Sequence, residues 1–116
     1  MRKPLALAVT GTLLFASPAA AHVGIKSYSL KRGSTVARSL ERVKVTFKAR
    51  VTDGHLTVTG PSGAKVSIGD GSLVSGDRVL RVRLKGSLGR GRYRASMRVL
   101  HNDGHVMSKS WSFNLR

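Results

Sequence analysis

The chain has 116 residues, which allows for one domain, and it combines a formal net charge of +16 with a complete lack of cysteine. Disulfide bonds, thiolate metal sites and cysteine nucleophiles are therefore excluded, and any metal must bind through imidazole, carboxylate, amine or thioether groups. The positive charge attracts anionic partners, but it does not determine the fold.

Residues 1–21 have the layout of a cleavable secretory signal peptide. Arg2 and Lys3 form a positively charged start, and residues 5–15 form an apolar run. Small residues, Ala19 to Ala21, precede the cleavage site. An uncleaved membrane anchor is the alternative, but the run is shorter than the roughly 20 residues that span a bilayer. We expect cleavage after Ala21, which leaves a single mature domain, residues 22–116.

The mature chain alternates apolar and polar residues with period two, as strands with one buried face do. The predicted inward residues are Val43, Val45, Phe47, Ala49 and Val51; Leu80, Val82 and Leu84; and Tyr93, Ala95, Met97 and Val99. Turn residues follow at 53–54, 61–63, 70–72, 75–77, 86–91 and 102–104. About seven strands with such turns predict an all-β antiparallel sandwich or small barrel.

The outward positions of these strands are largely Lys, Arg, Ser and Thr. One interpretation is a solvated surface whose cations discourage edge-to-edge aggregation. The other is a binding surface for an anionic envelope component, lipid or polymer. Because surface aromatic residues do not alternate with the cations, we expect no specific nucleic-acid partner.

His22 is the most informative of the four histidines. After cleavage it has both a free α-amine and an imidazole, which together can chelate one metal ion in a six-membered ring. The ordinary pKa of an α-amine, about 8, is low enough for a strong metal to displace the proton at neutral pH. Nitrogen donors with one oxygen suit Cu(II), which heads the affinity order of divalent first-row metals.

Asp103 and His105 are the candidates for the rest of this site. They are two positions apart around Gly104, so that both side chains can project to one side and meet a metal held by His22. Alone, Asp-Gly-His is weak evidence, because Asp-Gly is a common turn and the same tripeptide recurs at 53–55.

Residues 91–113 resemble the C-terminal signature of the CopC copper-resistance family, G-x-Y-x-V-x-W-x-V-x-S-x-D-G-H-x-x-x-G-x-x-x-F. Residues 22–27, Gly33 and residues 43–47 resemble the family's mature start, H-A-x-L-x-x-S-x-P-x-x-G, followed later by V-x-L-x-F. The specific part of the resemblance is the N-terminal His together with the Asp-Gly-His.

The resemblance implies a Greek-key β-barrel or sandwich, cupredoxin-like or immunoglobulin-like, located in the periplasm. It also implies Cu(II) bound by the amine and imidazole of His22 with Asp103 and His105. The implied role is copper carriage, buffering or resistance, with a CopD-like inner-membrane copper transporter as a partner.

The chain also departs from the family pattern. Met97 stands where the family has tryptophan, and Lys109 where it has glycine. Residues 48–50 lack the acidic residue that some members have there. Met97 and Met107 are the only methionines of the mature chain; we expect Met97 in the core and no Cu(I) thioether site.

The remaining histidines are not assigned as ligands: His101 can face the side of Asp103, and His55 is expected to be an exposed structural residue. No Ser-His-Asp set and no glycine-rich phosphate loop is present. We therefore expect a binding protein and not an enzyme. The alternatives are a cationic envelope-surface protein and, less well supported, a copper oxidase that uses the N-terminal histidine.

Overall fold

The computed structural model describes residues 24–116, so the predicted signal peptide and His22 lie outside the described residues. These residues form eight strands: β1 Ile25–Tyr28, β2 Thr35–Val36, β3 Arg42–Phe47, β4 Asp53–Thr59, β5 Ser67–Val74, β6 Val79–Leu84, β7 Gly91–Leu100 and β8 Val106–Leu115. Over the same range, the chain has no helix long and apolar enough to cross a membrane.

The strands form two sheets of four strands each. Sheet A has the order β1-β3-β6-β5, and sheet B has the order β2-β8-β7-β4. All pairings are antiparallel except that of β2 with the end of β8, which is parallel. Only β5–β6 and β7–β8 are hairpins within one sheet, and the other connections cross between sheets. The prediction of an all-β Greek-key sandwich is confirmed.

The alternating segments bury the faces that their patterns predict. The inward residues of β3, β6 and β7 are at most 7% exposed: Val43, Val45 and Phe47; Leu80, Val82 and Leu84; and Tyr93, Ala95, Met97 and Val99. The prediction was wrong for Ala49, because β3 ends at Phe47 and residues 48–50 form an exposed bend. Val51 is buried outside any strand, and its amide donates to the carbonyl of Asp77.

Two of the predicted turns are parts of strands. Residues 53–54 begin β4, and residues 70–72 lie within β5, where the register against β6 shifts between Ile68 and Ser72. Local turn chemistry is overridden at both places by pairing with a neighbouring strand, and in β5 the extra residues form an irregularity of the bulge type.

A tyrosine ties the start of β7 to the connection before it. The hydroxyl of Tyr93 donates to the carbonyl of Gly89 at 2.7 Å, and its ring stacks on Phe113 with centroids 5.8 Å apart. This is the arrangement of a tyrosine corner in immunoglobulin-like sandwiches. It fixes the start of the hairpin that carries the candidate site at its other end.

Gly71 lies where β5 of sheet A passes close to β4. Its φ is +87°, and a Cβ at this position would be 3.2 Å from both the carbonyl oxygen of Arg81 and the amide nitrogen of Leu56. Gly63 has the same φ, but a Cβ there would have nothing within 4 Å. A side chain at Gly63 would therefore be disfavoured by the positive φ alone. A side chain at Gly71 would be disfavoured both by the positive φ and by the close contacts.

We expect Gly71→Ala to lower the free energy of unfolding by about 2–4 kcal/mol, through backbone strain and overpacking together. Gly63→Ala should cost only about 1–2 kcal/mol, because it has the strain without the collision. Urea unfolding of both variants measures the difference. Equal losses would show that the close approach at Gly71 has no energetic consequence.

Candidate metal centre

The loop of residues 101–105 joins β7 to β8 and carries the predicted Asp-Gly-His. The strand ladder ends at the pair Leu100 and Val106, and the His101 amide then donates to the carbonyl of His105 at 2.8 Å. The Gly104 amide donates to the carbonyl of His101 at 3.0 Å, which closes a tight turn. Gly104 has a φ of +92°, a conformation that glycine adopts without steric cost.

Within this turn the side chains of Asp103 and His105 meet. Oδ2 of Asp103 is 2.9 Å from Nδ1 of His105, and Oδ1 accepts the backbone N–H of His105 at 3.0 Å. Both side chains are about half exposed, with relative accessibilities of 40% for Asp103 and 56% for His105. An oxygen donor and a nitrogen donor are thus brought together at the tip of the hairpin.

The Asp103 carboxylate is held in its ionised form. The hydrogen bond from the His105 backbone N–H is the largest cause of a pKa below the ordinary value of 3.8, and the His105 side chain is the second. Hydrogen bonds to the charged form favour it over the neutral acid. At neutral pH the group is therefore an anionic oxygen donor.

His101 points into the protein. It is 2% exposed and continues the inward alternation of β7 one residue past the end of the strand at Leu100. The sequence pattern is compatible with His101 facing the side of Asp103, and its burial was not predicted. The signal for burial is the period-two pattern of β7, which extends to position 101. Among the causes that lower the pKa of Asp103, His101 ranks last.

The described chain begins at the end of the sandwich that carries this loop. The Lys48 amide, just after β3, donates to the carbonyl of Gly24 at 2.9 Å. Four residues later the Thr52 amide donates to the carbonyl of Leu100, and its hydroxyl donates to the side-chain oxygen of Asn102 at 2.6 Å. The β3–β4 connection therefore contacts both the chain start and the candidate loop.

The structure brings together two of the three predicted ligands, Asp103 and His105, and His22 lies outside the described residues. Across residues 24–116 no group of three or more His, Cys, Asp or Glu side chains has a metal-binding arrangement.

The second Asp-Gly-His, at 53–55, has a different conformation. It lies in β4, where Oδ2 of Asp53 is 3.6 Å from Nε2 of His55 and both side chains are exposed. Gly54 is extended here and buried against Leu80. The prediction that His55 is exposed is confirmed.

Met97 is 3% exposed in the core, as predicted, and Met107 is half-buried against the core.

Comparison with known proteins agrees with this architecture. CopC from Methylosinus trichosporium OB3b superposes with a TM-score of 0.71 at 24% identity, over 81% of this chain and 93% of its own. PcoC from Escherichia coli, a methionine-rich copper resistance protein, superposes with a TM-score of 0.66 at 22% identity, over 83% of this chain and 100% of its own. No curated protein sequence matches the chain.

At these identities the solved structures establish the fold alone. The sequence profile of the CopC domain, however, matches residues 25–116, which include all eight strands and the loop with Asp103 and His105. The chain therefore belongs to the CopC family.

Proposed function

We propose that this protein is a periplasmic Cu(II)-binding protein that carries, buffers or detoxifies copper. The proposed ligands are the α-amine and imidazole of His22, the carboxylate of Asp103 and the imidazole of His105. The observation that supports this most directly is the 2.9 Å approach of Asp103 to His105 in an exposed turn. We propose copper as the metal because a solved relative is a copper resistance protein.

The path of the chain supports His22 as the third ligand. His22 is two residues ahead of Gly24, and two extended residues span about 7 Å. Gly24 is hydrogen-bonded to Lys48, and the same connection reaches Asn102 through Thr52. Gly24 and the loop thus belong to the same end of the sandwich, which supports His22 as a ligand beside Asp103 and His105.

The contact between Asp103 and His105 is compatible with metal binding. Nδ1 of His105 contacts Oδ2 of Asp103 at 2.9 Å, so Nε2 is the ring nitrogen that would bind copper. Each carboxylate oxygen has two lone pairs, so Asp103 could accept this hydrogen bond and still bind a metal. The backbone hydrogen bond from His105 to Oδ1 would hold the carboxylate ionised and in place beside the metal.

With an amine, two imidazoles and a carboxylate, Cu(II) has a complete tetragonal set of donors. No equatorial position would then be left for an oxidant, which favours a binding protein over a copper oxidase. Burial of Met97 also argues against a Cu(I) thioether site. The exposed loop suits transfer of copper to a partner, which we propose is a CopD-like inner-membrane transporter.

Copper titration of the processed protein tests the ligand set. We expect His22→Ala, Asp103→Ala and His105→Ala each to weaken Cu(II) binding by more than about a hundredfold, since even outer-shell partners of ligands are worth 10–100-fold. His55→Ala is the matched control, because it changes the histidine of the other Asp-Gly-His and should leave affinity unchanged. Electron paramagnetic resonance on the same samples reports the nitrogen donors.

Equal loss in His55→Ala would contradict the assignment. Consumption of hydrogen peroxide by the copper-loaded protein would favour the oxidase instead.

The amino terminus has its own test. One extra glycine ahead of His22 keeps every side chain but moves the α-amine away from the imidazole, so the six-membered chelate cannot form. We expect Cu(II) affinity to fall about as far as in His22→Ala. Intact-mass measurement of the secreted protein confirms where the chain begins, and unchanged affinity after the insertion would rule out the amine as a ligand.

The pKa of Asp103 reports on the loop without any metal. Carbon-13 NMR of the carboxyl group should give a value below 3.8 in the natural protein. His105→Ala should raise this pKa only part of the way, because the backbone N–H of residue 105 still donates. Since the folded pKa is the lower one, the stability contributed is present above the unfolded value and is lost as pH falls through the folded value. No rise in His105→Ala would contradict the side-chain contact.

A further inference from the structure

Four exposed cations cover the outward face of the two central strands of sheet A. Arg42 of β3 is paired directly with Arg83 of β6, and Lys44 is paired directly with Arg81. Directly opposed residues of antiparallel strands project to the same side, with Cβ atoms about 4.5–5.5 Å apart. We call these four residues the cationic face.

Like charges in this arrangement repel one another and destabilise the sheet. None of the ion pairs within residues 24–116 includes a residue of the cationic face. These pairs join Asp53 to His55, Asp70 to Lys65 and Asp103 to His105. Asp70, which lines the groove beside Arg81 and Arg83, is engaged by Lys65 at 2.9 Å. The four charges therefore lack a compensating carboxylate partner within the described chain.

Protection against aggregation does not explain the position of these cations. Lysine and arginine serve that purpose on edge strands, where unpaired backbone groups can recruit another sheet. The edges of sheet A are β1 and β5, whereas β3 and β6 are interior strands that are hydrogen-bonded on both sides. A cation on their outward side protects no unpaired backbone.

An exposed apolar residue borders the same face. Ile68 of β5 is paired with Arg83 and is 50% exposed. It is one of two large hydrophobic residues exposed within residues 24–116. A flat cationic surface with a projecting aliphatic side chain suits a bilayer, where phosphates lie above the acyl chains. Single-stranded nucleic acid would instead require aromatic stacking partners, and no aromatic residue is paired into this face.

We propose that the cationic face docks on an anionic phospholipid bilayer. The guanidinium groups and the lysine ammonium group bind lipid phosphates, and Ile68 enters the boundary between headgroups and acyl chains. Binding of this kind releases the repulsion between the opposed cations. The proposal is independent of copper, because the cationic face lies on the strands of sheet A and the candidate metal loop joins β7 to β8 in sheet B.

The test is sedimentation of the protein with vesicles of phosphatidylglycerol and phosphatidylcholine, against vesicles of phosphatidylcholine alone. We expect binding only to the anionic vesicles, with a steep loss as salt is raised. The double substitution Arg81→Ser with Arg83→Ser should weaken binding roughly thirtyfold, about fivefold for each charge removed from the surface. Ile68→Ser should weaken it as well without any change of charge.

The matched control is Arg92→Ser with Arg94→Ser, which removes the same charge from the exposed face of sheet B. Packed sheets are about 10 Å apart, so these charges lie a Debye length or more from a membrane on the other side. The control should change binding less than about twofold. Equal weakening by both double variants would show attraction by net charge alone and overturn the proposal.

Two further outcomes would also overturn it: no binding to anionic vesicles, or tighter binding of the cationic face to a single-stranded oligonucleotide than to vesicles. Thermal unfolding tests whether a loss of binding comes from a loss of folded protein. The Arg81→Ser, Arg83→Ser variant should be at least as stable as the natural protein, because it removes opposed like charges.

Discussion

The pairing of β7 with β8 is the constraint on which the rest of the molecule depends. The two strands are in register from Gly91 opposite Leu115 to Leu100 opposite Val106, without a bulge. This ladder sets which residues face the core, and it fixes the positions at which the 101–105 loop leaves β7 and enters β8. Asp103 and His105 meet there because the ladder stops at Leu100 and Gly104 takes a left-handed conformation. The preorganisation of the candidate site is thus a property of the whole hairpin.

Much of the fold could be predicted because burial imposes a period of two on each strand. The inward residues of β3, β6 and β7 followed from that pattern, and so did the burial of Met97. Residues 53–54 and 70–72 could not be placed from local chemistry, since pairing with distant strands decides whether an Asp-Gly sequence turns or extends. The parallel pairing of β2 with β8 could not be predicted either, because β2 has only two residues and too short a sequence to show a period-two pattern.

Part of the candidate site could be predicted from the sequence, and part of it could not. Asp103 and His105 are two positions apart, so their proximity needed only a turn, and the sequence indicated one. The inward position of His101 depended on continuing the alternation of β7 past the end of the strand. The comparison of the two Asp-Gly-His tripeptides shows how little the residues alone determine: at 53–55 they form part of a strand, and at 103–105 they form a turn with a carboxylate and an imidazole in contact.

The parallel pairing of β2 with β8 also fixes where Arg116 lies. The amide of Arg116 donates to the carbonyl of Val36 at 3.0 Å, so this residue is held at the end of sheet B remote from the 101–105 loop. The ten residues of β8 separate the two ends by about 30 Å. A fluorophore or sensor surface attached at position 116 would therefore leave the Asp-Gly-His loop directed outward and sterically open to whatever approaches it.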